Sequence, residues 1–293
     1  MHFYFDKRNS SPKENLTFPS APVSRLRYCF QTNANGDIPV VPDFLTAVNA
    51  LRDFPELFIQ TEHVYGQMST RMSQDQFMDC LHEKAHNWNS SFFIDHNNLS
   101  VANITAKLEL CECCNSPGYL KFTNPAGRSF FKICIPEFIE AEAWASALAK
   151  IAVVPEEDQY LSKDKDFVPF HPRLDPDPSS YPLTQNQLIS LFANSQSKEI
   201  KFKFNLQSSG ITLQNSLLIR NIQVENGFMM CQGLGGGFNI SLKAIQKIEY
   251  FIKDGCKTLF LLGPSRSILF EIKPESNSVD TWDTLLEAVL NHN

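Results

Sequence analysis

Two stretches of this chain can be laid over each other without a gap at a spacing of 138 residues, and that self-match limits the fold more than any other feature. Identities fall at Phe122/Phe260, Arg128/Arg266, Ser129/Ser267, Pro136/Pro274, Glu137/Glu275, Trp144/Trp282 and Leu148/Leu286. The same register pairs Leu45-Thr46 with Leu183-Thr184 and Phe54 with Phe192. Each matched end reads as a strand, a turn, a second strand, a proline and a closing helix. The strands are expected over 119–123 and 130–135 in one half, and over 257–262 and 268–272 in the other. Trp144, Leu148 and Ile151 then recur at helical spacing, as do Trp282, Leu285, Leu286 and Val289. A chain built this way is expected to be a doubled one, whose halves superpose and leave a cleft where they meet.

Between the halves, Pro155, Pro169, Pro172, Pro176, Pro178 and Pro182 stand among acidic residues. Proline removes a backbone donor and biases its predecessor to extended conformations, so this stretch reads as a stiff, exposed connector. The expected division is an N-terminal extension over 1–40, a first repeat over 41–153, the connector over 154–182 and a second repeat over 183–293. In the second repeat, strand patterns cover 199–205, 211–213, 217–225, 228–232, 238–242 and 245–252, after a helix over 184–193. The first repeat opens with a similar helix over 42–54. Its middle departs, because 73–88 reads as helix where the second repeat has strands. The fold class expected is α+β: two tandem structural repeats, each a large antiparallel β-sheet with flanking α-helices.

Apolar residues make up 43% of the 293, including 24 Phe, which is enough to fill two cores. The net charge of −6, with no run of Lys and Arg, does not steer the chain toward nucleic acid or anionic lipid. No stretch of about 18 apolar residues suggests a membrane span, and the start lacks a secretion-signal pattern. A cytoplasmic location is therefore expected, with the eight cysteines reduced.

The second half carries Gly237-Phe238-Asn239-Ile240-Ser241-Leu242, then Ile245, Tyr250, Asp254-Gly255, Leu259-Phe260-Leu261 and Trp282-Asp283-Thr284-Leu285-Leu286. This run resembles the C-terminal repeat of bacterial haemin-utilisation proteins, the HemS-type haem carriers and degraders. Leu120-Lys121-Phe122, Gly127, Phe131-Lys132-Ile133 and Trp144 echo the partner repeat. The family pattern has a His at the place of Ser241, and an Asp-Pro-type turn in place of the glycines. The resemblance implies two repeats binding haem in a cleft, through an axial His near the connector and through basic contacts. It implies haem as cofactor rather than NAD or a nucleotide, and haem-uptake or electron-donor proteins as partners.

Carried over residue by residue, the axial-ligand candidate is His171, in Phe170-His171-Pro172-Arg173; the alternative is a solvated linker histidine. Arg173, Arg128 and Arg266 are the candidates for the haem propionates, the last two at matching turns. An enzyme of this kind would open the haem ring oxidatively; a carrier would only bind it, and a member that had lost the ligand would be a non-catalytic binding protein.

Three other patterns compete. His82-Glu83-Lys84-Ala85-His86 has the spacing that sets two imidazoles on one helix face for zinc, with Glu83 placed to activate a bound water. A zinc peptidase would need a third ligand, and Glu109 and Glu112 lie downstream at a plausible distance. Cys111-Glu112-Cys113-Cys114 puts two thiols on one face of a strand but lacks a second pair. Gly233-Leu234-Gly235-Gly236-Gly237 leads into a strand rather than a helix, so it reads as a hairpin turn and not a phosphate loop.

Overall fold

The computed structural model describes residues 30–291 apart from 34, 64, 83–91, 96–98, 110, 112–115, 117, 137–138, 140, 155–163, 165–170, 234–235 and 254. Of residues 80–82, 92–93 and 141 it describes the backbone. Along the chain run β1 (Ile38–Val40), α1 (Phe44–Asn49), β2 (Glu56–His63), β3 (Gly66–Ser73), α2 (Gln74–His82), β4 (Phe92–Ile94) and β5 (Asn103–Lys107). β6 (Tyr119–Thr123), β7 (Ser129–Cys134), α3 (Ala141–Ala149), β8 (Tyr181–Leu183), α4 (Gln185–Ser197), β9 (Lys201–Ser208) and β10 (Ile211–Glu225) follow. The chain closes with β11 (Phe228–Gly233), β12 (Gly236–Ser241), β13 (Lys247–Lys253), β14 (Cys256–Leu262), β15 (Ile268–Pro274) and α5 (Val279–Asn291). These elements make an α+β fold of antiparallel strands with few helices.

The chain divides into two compact units. One gathers Met1–Ile59, Met72–Met78 and Ser100–Val168; the other gathers Gln60–Arg71, Asp79–Leu99 and Pro169–Asn293. The second unit thus takes the tip of the β2–β3 hairpin from the first half of the sequence.

In the first unit the strands run in the order β1, β5, β6, β7, β2. β6 alternates buried and half-buried positions, which is the period-2 pattern of a sheet with one face in the core. Asp43 caps α1 by accepting a hydrogen bond from the Thr46 amide at 2.7 Å. That helix sends Phe44 onto Phe122 and Phe131, with ring centroids 5.1 and 6.1 Å away. Trp144 of α3 is buried and meets Phe54 edge-on.

In the second unit the order is β8, β13, β14, β15, β9, β10, β11, β12, β3, with β4 also paired to the start of β10. From β8 to β9 this order follows, strand for strand, the first unit's sequence from β1 to β2. The capping box of Thr184 and Gln187 starts α4, and its Phe192 packs on Phe202, Phe204 and Phe238. Trp282 of α5 is fully buried against Phe202, and its indole N–H donates to the Lys257 carbonyl at 2.7 Å.

Three local expectations change. The patterns at 211–213 and 217–225 are one strand, because Asn215 is buried and donates to the Ser69 carbonyl at 2.9 Å instead of breaking the sheet. The glycines at 233, 236 and 237 lie inside β11 and β12. A Cβ on Gly236 would sit 2.2 Å from the Ser69 carbonyl oxygen, so these glycines permit close strand approach. Strands β2 and β3 lie where the sequence pattern named none, since buried Gln60, Thr61, Ser69 and Thr70 blur the alternation.

Candidate functional site

The end of the connector is held to the second unit by its backbone. The Pro172 carbonyl accepts from the Ile268 amide at 2.9 Å, the Leu174 amide donates to the Arg266 carbonyl at 3.0 Å, and Arg173 forms a bridge with Ser267. Proline at 172 costs nothing there, because only its carbonyl is used. Tyr181–Leu183 then adds to the β13 edge as β8.

This anchoring sets the half-buried ring of His171 edge-on to a second imidazole, His63 at the end of β2, with ring centroids 5.6 Å apart. His63 also meets Tyr65 and Phe270, at 5.7 and 6.5 Å. The Tyr65 amide donates to His63 Nδ1 at 2.9 Å. A neutral imidazole accepting at Nδ1 carries its proton on Nε2. That Nε2 is buried with no hydrogen-bond partner, and so is Nδ1 of His171. His171 therefore presents an unused buried nitrogen beside the His63 ring.

Burial, and next the charge of the neighbouring His171, hold the His63 pKa down at about 4, against a smaller opposing pull from the Leu269 carbonyl. Burial also lowers the pKa of His171, opposed by the Gln207 carbonyl. Both rings are thus neutral at physiological pH, the state in which imidazole binds a metal.

Arg266 is occupied elsewhere. Its guanidinium grips the Glu249 carboxylate bidentately, Nη1 to Oε1 at 3.1 Å and Nη2 to Oε2 at 2.7 Å, while Nε donates to the Leu174 carbonyl at 2.9 Å. Glu249 is buried, and its hydrogen bond to Arg266 holds its pKa below the usual carboxylate range. Arg266 is therefore a clamp fastening the connector to β13. Arg173 is exposed and has no ion-pair partner among the described residues. Arg128 is exposed at its turn in the first unit, where its amide donates to the Asn124 side chain at 3.1 Å.

Of the zinc pattern, His82 ends α2 with only its backbone described, and Glu83 and His86 lie outside the described residues. Glu109 is paired with Lys107 at 3.0 Å; Glu112, Cys113 and Cys114 also lie outside the described residues. Among the described residues no group of three or more potential metal ligands comes together. No helix among them is long and apolar enough to cross a membrane.

No protein-family model matches the sequence, and no curated protein matches it significantly. Solved structures do match. Apo-PhuS, a heme-binding protein from Pseudomonas aeruginosa, superposes with a TM-score of 0.62 over 86% of each chain at 10% identity. ChuS, an E. coli heme oxygenase, gives 0.64 over 86% of this chain and 88% of its own, also at 10% identity. The chain has the fold of PhuS and ChuS. The HemS-type resemblance read from the glycine-to-tryptophan run of the second half holds at the level of the fold.

His63 was not legible in the sequence as a site residue. A histidine at a hairpin tip carries no motif, and only the inclusion of that tip in the second unit brings it to His171.

Proposed function

We propose that this chain binds haem and serves haem utilisation, as a carrier or as a haem-degrading enzyme. Its fold is that of PhuS, described as haem-binding, and of ChuS, described as a heme oxygenase. The observation that carries the reading is the neutral His171 imidazole, whose buried Nδ1 has no protein partner. An orphaned imidazole nitrogen fits the donor chemistry that haem iron requires.

In this reading His171 supplies the axial nitrogen and exposed Arg173, two residues along, pairs with a propionate carboxylate. Arg128 stands as a second propionate candidate, and Arg266 acts chiefly by holding the connector that carries His171. Phe270 and Tyr65 pack on His63, which in turn lies against His171. Bound haem would supply the oxygen and redox chemistry, with electrons from an external donor protein. We also propose that the chain arose by doubling, with repeats over 41–153 and 183–293 joined by the 154–182 connector after an N-terminal extension over 1–40. The matching orders β5, β6, β7, β2 and β13, β14, β15, β9, with the constant spacing of α3 and α5, support this. A cytoplasmic setting, with no nucleic-acid or membrane partner, agrees with the acidic composition.

The test is to add haemin to the purified full-length protein. A sharp Soret band that is lost in His171→Ala is expected; a spectrum of free haemin with the unchanged protein overturns the proposal. That second outcome would leave a non-catalytic binding protein of this fold, the reading favoured by Ser241 at the family's His position.

A further inference from the structure

The thiols of Cys111 and Cys134 lie 3.4 Å apart inside the first unit. Both residues are buried, at 4% and 0% exposure, in a cluster with Phe58 and Tyr119. Their approach is set by the backbone rather than by free rotation of a surface loop. Cys134 ends β7 directly opposite Tyr119 of β6. On the other side, the Cys111 amide donates to the Ser116 carbonyl at 2.8 Å. The buried Ser116 hydroxyl sits in hydrogen-bond reach of the Gly118 carbonyl at 2.6 Å and of the carbonyl of Ile135, the residue after Cys134. The turn bearing one thiol is therefore fastened to the strand end bearing the other.

A disulfide needs its sulfurs at about 2.05 Å, so each would move by less than about 1 Å, within the reach of a side-chain rotation. The other described thiols have no such partner: Cys231 is buried alone in β11 and Cys256 is half-buried in β14.

We propose that Cys111 and Cys134 are a reversible oxidation site, closed to an intrachain disulfide by a small hydroperoxide. One thiol, as thiolate, attacks the peroxide; a sulfur–oxygen bond forms, the oxygen–oxygen bond breaks, and water leaves after taking up a proton. The second thiolate attacks the resulting sulfenic acid, forming the sulfur–sulfur bond and releasing a second water. Two thiols and one hydrogen peroxide thus become one disulfide and two waters, with sulfur oxidised and peroxide reduced. Burial keeps out bulky charged oxidants, which selects for a small uncharged one. The bond would lock Cys111 to the end of β7. Nothing in this step depends on haem.

The test treats the full chain with hydrogen peroxide and maps disulfides by non-reducing peptide mass spectrometry. The peptide containing Cys111 is expected to become linked to the one containing Cys134, with dithiothreitol restoring both thiols. The link should persist in a Cys113→Ser/Cys114→Ser variant and in Cys231→Ser, and vanish in Cys134→Ala. Oxidation that joins Cys111 to Cys113 or Cys114 instead, or that leaves Cys111 and Cys134 reduced while Cys256 reacts, overturns the proposal. Because the mapping on the unchanged chain decides the matter, a poorly folding Cys134→Ala does not.

Discussion

The two units share an order of five strands and each carries a helix with a buried tryptophan, yet they invest their polar residues differently. The first places a buried carboxylate, Asp37, between two lysines, with Lys107 at 3.0 Å and Lys121 at 3.1 Å. The second assembles two neutral imidazoles and an Arg266–Glu249 clamp. Both histidines whose side chains are described, His63 and His171, belong to the second unit. Apolar spacing and turns fix the common architecture, while the ligand chemistry rests on residues that architecture leaves free to vary.

The comparison can be broken most forcefully at the tryptophans. Trp282→Ala and Trp144→Ala should each cost about 3–5 kcal/mol in denaturant titrations, as expected for emptying a core site. The Phe variants sharpen the contrast: Trp282→Phe should cost about 1 kcal/mol more than Trp144→Phe, because only the Trp282 indole has a hydrogen bond to lose. Equal costs would mean that the indole bond to Lys257 contributes nothing.

The second unit alone should show a histidine-linked acid sensitivity. His63 falls from 6.5 to about 4 on folding, so between those values the unfolded chain binds more protons and stability rises with pH. Up to about 3 kcal/mol should be lost from pH 7 down to pH 4, and His63→Phe should flatten that slope. An unchanged slope in the variant would show that the protonation of His63 is not coupled to folding.

The matched arginines should part company. Arg266→Ala leaves the buried Glu249 carboxylate with only the longer contact from exposed Lys247, at 3.5 Å, and should cost about 1–3 kcal/mol near pH 7. Since the Glu249 pKa is lowered in the fold, the benefit of this pair is complete above the unfolded value and fades as pH falls through the folded one. Arg128→Ala, on an exposed turn, should stay within about 0.5 kcal/mol.

The smallest contrast concerns Gly118. A Cβ there would lie 2.2 Å from Trp144 Nε1 and 2.8 Å from the Lys107 carbonyl oxygen, so Gly118→Ala should cost about 1–3 kcal/mol. At the same register in the second unit the chain already carries Cys256, half-buried, and Cys256→Ala should cost less.

These contrasts also show how far the sequence could be read. Strand β6 begins and ends where its alternation predicts, and α4 starts at its Thr184–Gln187 box, because local pattern and tertiary burial agree there. The β2–β3 hairpin escaped because its buried positions include Gln60, Thr61, Ser69 and Thr70, whose polarity mimics a surface. His171 stood out by its place beside the connector prolines. Its partner His63 lies more than a hundred residues earlier, and no pattern within either segment announces that their rings meet. Arg266 was readable only as a repeated turn position of the self-match; its commitment to Glu249 comes from the fold laying that turn against β13.

The most direct test of the account is the number of haems each chain holds, counted by native mass spectrometry of the full-length protein loaded with excess haemin. One haem per chain, absent from His171→Ala, is the result expected if the binding chemistry resides in the second unit. Two haems per chain, or one that survives in His171→Ala, would contradict it.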